Sequence, residues 1–246
     1  MMLYPYQFRP QAHRGRSAVY PQNTVRAFEA AGKQPFVYGI ETDVHITKDG
    51  VPVCFHDATL DALTTGTGVI ADYTLAEVQE FVYDNTAGAD LYPGETIPKL
   101  EDYLKVCRKY GKVPYIEVKF VKVEQVPLLL QTVRRMGFED RCIFTGFSWP
   151  SLAEIRRLTD GYFLEAMFTE GTTLEKAMDT VRDCAGVALR FYCGDVTEEL
   201  VTAAHEHGYL VDAWGLAVGD RAMLERLIDA GAEGCTCNDY TFFYGE

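Results

Sequence analysis

From Pro98 onward, short apolar runs that read as strands alternate with amphipathic runs that read as helices, and no other feature constrains the fold as tightly. The periodicity predicts a helix over 100–110, then strands over 113–118, 142–146, 162–165, 186–189, 209–213 and 234–236, with a helix between successive strands. Local signals punctuate them: Ser148 and Thr197 stand as N-caps, Thr172 with Glu175 as a capping box, and Gly208 and Gly231 as stops. Upstream lie a strand over 11–14, a helix capped by Asn23 or Thr24 and ended by Gly32, and a strand over 38–44. Lys48-Asp49-Gly50 then turns the chain into a second apolar strand that ends on His56 and Asp57. Eight main strands, each but the last followed by a helix, make an α/β chain and predict a closed (β/α)8 barrel. Residues 58–98 are turn-rich, with one short helix opened by a Thr74–Glu77 capping box, and read as an insertion within a single domain spanning 1–246.

The formal net charge of −13 sets the electrostatic frame. Nucleic acid and anionic membrane surfaces are repelled at long range, and a phosphate-bearing ligand needs a local basic clamp. No apolar run approaches the roughly 20 residues that span a bilayer, and residues 1–10 lack the apolar core of a signal peptide. The seven cysteines form no Cys-x-x-Cys pair and fall mostly in apolar strands, the pattern of reduced core thiols in a cytoplasmic protein.

Chemistry concentrates at the outgoing strand ends, where a barrel of this kind keeps its site. His13 and Arg14 end the first strand, Glu41 and Asp43 lie toward the end of the second, His56 ends its hairpin partner, and Glu117 and Lys119 end the third. Residues two apart on a strand share a face, so Glu41 points with Asp43, and Glu117 with Lys119. Any one of these acids fits equally well as a salt-bridge partner of Arg14 or Lys119. Three together are hard oxygen donors that suit one divalent cation, Mg²⁺ or Ca²⁺. His13 and His56 fit a proton donor and acceptor working near neutral pH. Arg14 offers a phosphate a planar fork, and Lys119 a point charge. Trp214, after the seventh strand, either walls the alcohol portion of a substrate or packs the barrel. His45 reads as facing away from Asp43, and it joins His205 and His207 as a surface residue.

In order along the chain, Ala12-His13-Arg14-Gly15, the stretch 39–57 with its Glu-x-Asp and His-Asp pairs, Ile97-Pro98-Lys99-Leu100-Glu101, Ile116-Glu117-Val118-Lys119, Trp214 and Asn238-Asp239 resemble the glycerophosphodiester phosphodiesterase family. The resemblance implies a TIM barrel with a small insertion after the second strand. It implies metal-dependent hydrolysis of glycerophosphodiesters, part of lipid and glycerol metabolism, to glycerol 3-phosphate and an alcohol. By motif, Glu41, Asp43 and Glu117 are the ligands of one divalent cation, His13 and His56 the acid–base pair, and Arg14 and Lys119 the phosphate clamp. The implied partner is a small phosphodiester, with no nucleic acid and no stable membrane association. Three departures from the family pattern stand out: Gln22 replaces a usual Glu, Ala62 a common Arg, and Gly215-Leu216-Ala217 the usual Thr-Val-Asn. Two rival readings use the same residues, a phospholipase D-like lyase that forms a cyclic phosphate and a barrel that binds phosphodiesters without cleaving them.

Overall fold

A computed structural model describes residues 8–239; the expectation about a signal peptide at the N-terminus falls mostly on residues 1–7 and lies outside them. The elements in chain order are β1 (Arg9–Ala12), α1 (Val25–Gly32), β2 (Gly39–Ile46), β3 (Pro52–Cys54), α2 (Leu75–Val78), α3 (Leu100–Tyr110) and β4 (Val113–Glu117). There follow α4 (Val126–Arg135), β5 (Ile143–Gly146), α5 (Trp149–Leu158), β6 (Phe163–Met167) and α6 (Leu174–Val181). The last are β7 (Val187–Tyr192), α7 (Glu198–Glu206), β8 (Val211–Leu216), α8 (Arg221–Asp229) and β9 (Gly234–Cys237).

Strand order β1-β9-β8-β7-β6-β5-β4-β2 closes through a β1–β2 pairing, and all eight strands run parallel. This is the expected barrel. β3 is antiparallel to β2 and sits outside the ring. Helices cover the outer face because their apolar stripes have nowhere else to go. α3, for example, buries Leu100, Tyr103, Leu104, Val106 and Cys107, and the Tyr103 hydroxyl donates to the Ile40 carbonyl at 2.6 Å. Gly39 is needed where β2 passes Tyr115, since a Cβ there would lie 2.4 Å from the ring. The segment after β3 carries its own small core, in which Val53 and Phe55 pack with Leu60, Ile70, Val78, Tyr83 and Ile97. It is thus fastened to the hairpin that delivers His56.

Two local expectations shift, at Thr172 and Trp214, and the choice between Asn23 and Thr24 is settled. Thr173, not Thr172, caps α6 and accepts from the Lys176 amide, while the Thr172 hydroxyl donates to the Thr169 carbonyl. Thr24 caps α1, which leaves Asn23 for another task. β8 continues through Trp214 to Leu216, because Tyr192 and Trp214 still pair across the β7–β8 ladder; Trp214 therefore belongs to the strand rather than following it.

The inside of the barrel beneath the strand ends holds a polar network absent from the sequence reading. Arg190, 1% exposed, pairs with Glu165 and donates to Gln11 Oε1 at 2.6 Å. Gln11 in turn donates to Asp212 Oδ1 at 2.9 Å, and the Tyr115 ring lies 5.5 Å under the guanidinium. Burial raises the Glu165 carboxyl to about 8, against the pull of Arg190. The network plugs the barrel floor under the site.

Candidate active site

The turn after β1 is strained to serve the acids. Arg14 has φ 54, a left-handed conformation uncommon outside glycine, and Gly15 follows at φ 80 where a Cβ would meet the Ala27 backbone at 2.5 Å. The close approach of this turn to α1 aims the Arg14 amide at Glu41 Oε2, at 2.9 Å. The guanidinium Nε comes to 3.4 Å from Asp43 Oδ2, and Nη1 donates to Gln22 Oε1 at 2.5 Å.

Register completes the cluster. In the β2–β4 ladder Asp43 pairs with Glu117, and strand alternation keeps Glu41 on the face of Asp43. One carboxylate oxygen from each of the three lies within 4.8 Å of the others. Glu41, Asp43 and Glu117 are 3%, 0% and 7% exposed. Burial, then Asp43 and Glu117, pushes Glu41 well above the usual carboxylate range. Burial, then Asp43, lifts Glu117 to about 8. Burial works the same way on Asp43, but Arg14, both histidines and Asn23 outweigh it and hold that group low. Glu41 Oε1, Asp43 Oδ1 and Glu117 Oε1 are each buried without a hydrogen-bond partner, a costly arrangement for carboxylates. A single hard cation among them would satisfy all three, so the donor set fits a divalent metal.

The two imidazoles are anchored alike. His13 Nδ1 donates to Asn238 Oδ1 at 2.5 Å, and His56 Nδ1 to Asp57 Oδ1 at 2.5 Å. Lys119 Nζ donates to His56 Nε2 at 2.9 Å, and His13 Nε2 stands 4.0 Å from Glu41 Oε2. The hydrogen-bond network thus assigns the Nδ1–H tautomer to both rings and turns both Nε2 lone pairs inward. Burial, then Arg14, drops His13 to about 3, although 29% of its side chain still meets the opening. Burial also lowers His56, with Asp43 opposing and Arg14 assisting.

Seven of the eight residues expected from sequence, His13, Arg14, Glu41, His56, Glu117, Lys119 and Trp214, line one cavity of about 440 Å³, and Asp43 is buried beneath it. Sequence reasoning missed Asn23 as a site residue. At φ 55 it donates to Asp43 Oδ2 at 3.0 Å and accepts from the Thr42 hydroxyl at 2.7 Å. Its position just before a capped helix reads as a second cap candidate, which masked that role. Phe147, Met167 and Arg190 also line the cavity and carried no signal beyond lying near strand ends.

His45 corrects the sequence reading. Two residues beyond Asp43 it shares that strand parity, and it is 4% exposed, not at the surface. Its ring stacks on Phe120 at 4.4 Å, and burial lowers it to about 4. The β3 hairpin and the segment after β4 cover this end of β2, so both faces of the strand are enclosed. His205 and His207 are exposed as expected.

Comparison with known proteins identifies the family and the fold. A protein of Caldanaerobacter subterraneus subsp. tengcongensis named glycerophosphodiester phosphodiesterase is 28% identical over 93% of both chains. The structure of a Silicibacter pomeroyi protein assigned to the glycerophosphoryl diester phosphodiesterases superposes with a TM-score of 0.81 at 27% identity, over 96% of this chain and 91% of that one. An Oleispira antarctica phosphodiesterase solved with its product sn-glycerol-3-phosphate shares the fold, with a TM-score of 0.83 at 24% identity over 95% and 94% of the two chains. The profile of one family runs from His13, the first residue of the constellation, through residue 240: the chain belongs to the glycerophosphoryl diester phosphodiesterase family.

Proposed function

We propose that this chain hydrolyses glycerophosphodiesters to glycerol 3-phosphate and an alcohol, using one divalent cation, Mg²⁺ or Ca²⁺, held by Glu41, Asp43 and Glu117. The observation that carries this reading is the pair of Nδ1-anchored imidazoles, both aiming Nε2 into the cavity of the three-acid cluster. Binding alone needs no acid and base. When bound, the cation polarises a phosphoryl oxygen and offsets charge developing on phosphorus. Arg14 and Lys119 hold the remaining phosphate oxygens, which a chain of net charge −13 would otherwise repel. One imidazole takes a proton as the nucleophilic oxygen bonds to phosphorus. The other must first take up a proton at Nε2, becoming an imidazolium, and it delivers that proton to the alcohol oxygen as the bond from that oxygen to phosphorus breaks; water supplies the net atoms of hydrolysis. Asp57 and Asn238 accept from Nδ1–H and so keep Nε2 of each ring turned to the cavity as the atom that exchanges protons, and Trp214 walls the alcohol side.

All seven cysteines are free and buried, which supports a reducing, cytoplasmic setting. Among the described residues no helix is long and apolar enough to cross a membrane. We read the chain as one domain with an insertion at about 58–98. The test is release of glycerol 3-phosphate from glycerophosphoethanolamine with Mg²⁺, Ca²⁺ or EDTA, in wild type and in His13→Ala and His56→Ala. Metal-dependent release lost in both variants supports the reading; release that survives EDTA or either substitution refutes it.

A further inference from the structure

A second cavity, of about 270 Å³, opens at the ingoing ends of the strands, on the face opposite the catalytic one. Among the described residues its charged lining is Arg9, which starts β1, Glu165 in β6 and Asp212 in β8. Its other side chains are apolar apart from the Tyr38 hydroxyl. Three large ones reach solvent, Phe163 at 62% exposure, Leu210 at 48% and Tyr38 at 40%. Both acids are buried. Glu165 is neutralised by Arg190. Asp212 takes the Gln11 amide on Oδ1 at 2.9 Å, and its Oδ2 is buried without a hydrogen-bond partner. Arg9 Nη2 stands 3.9 Å from that oxygen, an ion pair too long for a hydrogen bond. The Arg9 guanidinium lies 5.9 Å from the centre of the Tyr38 ring, and its side chain is 26% exposed. Barrel packing alone does not call for an unpaired carboxylate oxygen beneath an open apolar mouth.

We infer that this cavity binds a free apolar α-amino acid, of the leucine or phenylalanine kind, as its zwitterion. The inference is independent of the phosphodiesterase reading. Charge decides the class. With Glu165 and Arg190 neutralising each other, Arg9 and Asp212 remain as one positive and one negative group side by side. An amino acid carries the opposite pair on a single carbon. Its ammonium donates to Asp212 Oδ2, and its carboxylate takes the planar fork of Arg9. Its side chain covers Phe163 and Leu210, which otherwise face water. An amine without the carboxylate brings a second cation beside Arg9. A carboxylate without the ammonium leaves Asp212 Oδ2 unpaired, and the chain's net charge of −13 repels it. Size agrees with the class, because cavities for drug-sized ligands run from roughly 300 to 1,000 Å³ and this one suits a smaller molecule.

Isothermal titration of the full chain tests the assignment directly. L-phenylalanine and L-leucine give saturable binding to a single site. Phenethylamine lacks the carboxylate, phenylpropionate lacks the ammonium and L-serine lacks the apolar body. Each of the three binds at least about tenfold more weakly than L-phenylalanine, the loss expected when one charged hydrogen-bonding group or the apolar contact is missing. Arg9→Gln and Phe163→Ala change side chains at the cavity that are partly exposed. Each weakens L-phenylalanine binding at least about tenfold, while circular dichroism and a cooperative thermal transition show that the fold is kept. Leu210→Asp, which adds charge to the apolar mouth, does the same and serves if either of the first two fails to fold. No saturable heat with either amino acid, an affinity for phenethylamine or phenylpropionate equal to that for L-phenylalanine, or binding unmoved by the folded variants overturns the assignment.

Discussion

Metal binding at the three-acid cluster should tighten as pH rises, and the structure sets the window. Burial and Asp43 hold the metal-free Glu117 carboxyl at about 8, against an ordinary 4.5, and Glu41 is raised for the same reasons. Between these limits the metal-free fold keeps a proton on Glu117 that the unfolded chain has released. Its stability therefore falls as pH climbs from about 4.5 to 8. A coordinating carboxylate must be ionised, so loading the cation expels that proton. Apparent affinity should then rise by about tenfold per pH unit for each proton displaced, flattening near pH 8. At a free cation concentration of 100 Kd the loaded protein gains about 2.7 kcal/mol, or about 5–11 °C in Tm for a chain of this size. Isothermal titration of Mg²⁺ and Ca²⁺ in buffers of different ionisation enthalpy counts the protons, and thermal denaturation with and without EDTA reads the stabilisation. Affinity independent of pH from 6 to 8, with no proton released, would refute the claim that these acids form the metal site.

Other outcomes follow from single contacts. Asp57→Asn keeps a group beside His56 Nδ1 but removes the carboxylate that fixes the tautomer; kcat should fall about 10²-fold or more with KM little changed, checked by steady-state kinetics. Asn23→Ala loses the contacts to Asp43 and Thr42 at a left-handed residue, and denaturant unfolding should show a loss of about 2–4 kcal/mol. Arg190→Met strands Glu165 in the barrel floor and should cost about 3–5 kcal/mol, most of it recovered in the Arg190→Met/Glu165→Leu double variant, measured the same way.

What was legible in the sequence was local or periodic. Strand–helix alternation specified the barrel because each amphipathic run records which of its own faces is buried. The Glu41–Asp43 and Glu117–Lys119 spacings marked one face because strand parity needs only neighbours. His45 obeys that parity with Asp43, but its cover comes from β3 and Phe120, and chain segments that fold back from elsewhere do not register in a strand's own pattern. The same limit hid the barrel floor: Arg190 reaches Gln11 across 179 residues of chain, and Gln11 reaches Asp212 across 201. Asn238 is separated from His13 by 225 residues, so its part in orienting the ring is visible only after β9 closes against β1. The Thr172–Glu175 expectation failed by one residue because two consecutive threonines offer the same cap chemistry, and the Thr169 carbonyl claimed the first.

The central claim is that the acids, the histidines and the basic clamp form one hydrolytic centre. Phosphorus NMR of a glycerophosphodiester incubated with wild type and Glu117→Gln in Mg²⁺ addresses it most directly, because diester, cyclic phosphate and monoester are resolved in one spectrum. The account predicts conversion to glycerol 3-phosphate by wild type, abolished by EDTA and slowed at least about 10²-fold by Glu117→Gln. A Glu117→Gln variant that turns over and binds metal normally, or a cyclic phosphate as the final product, would contradict it.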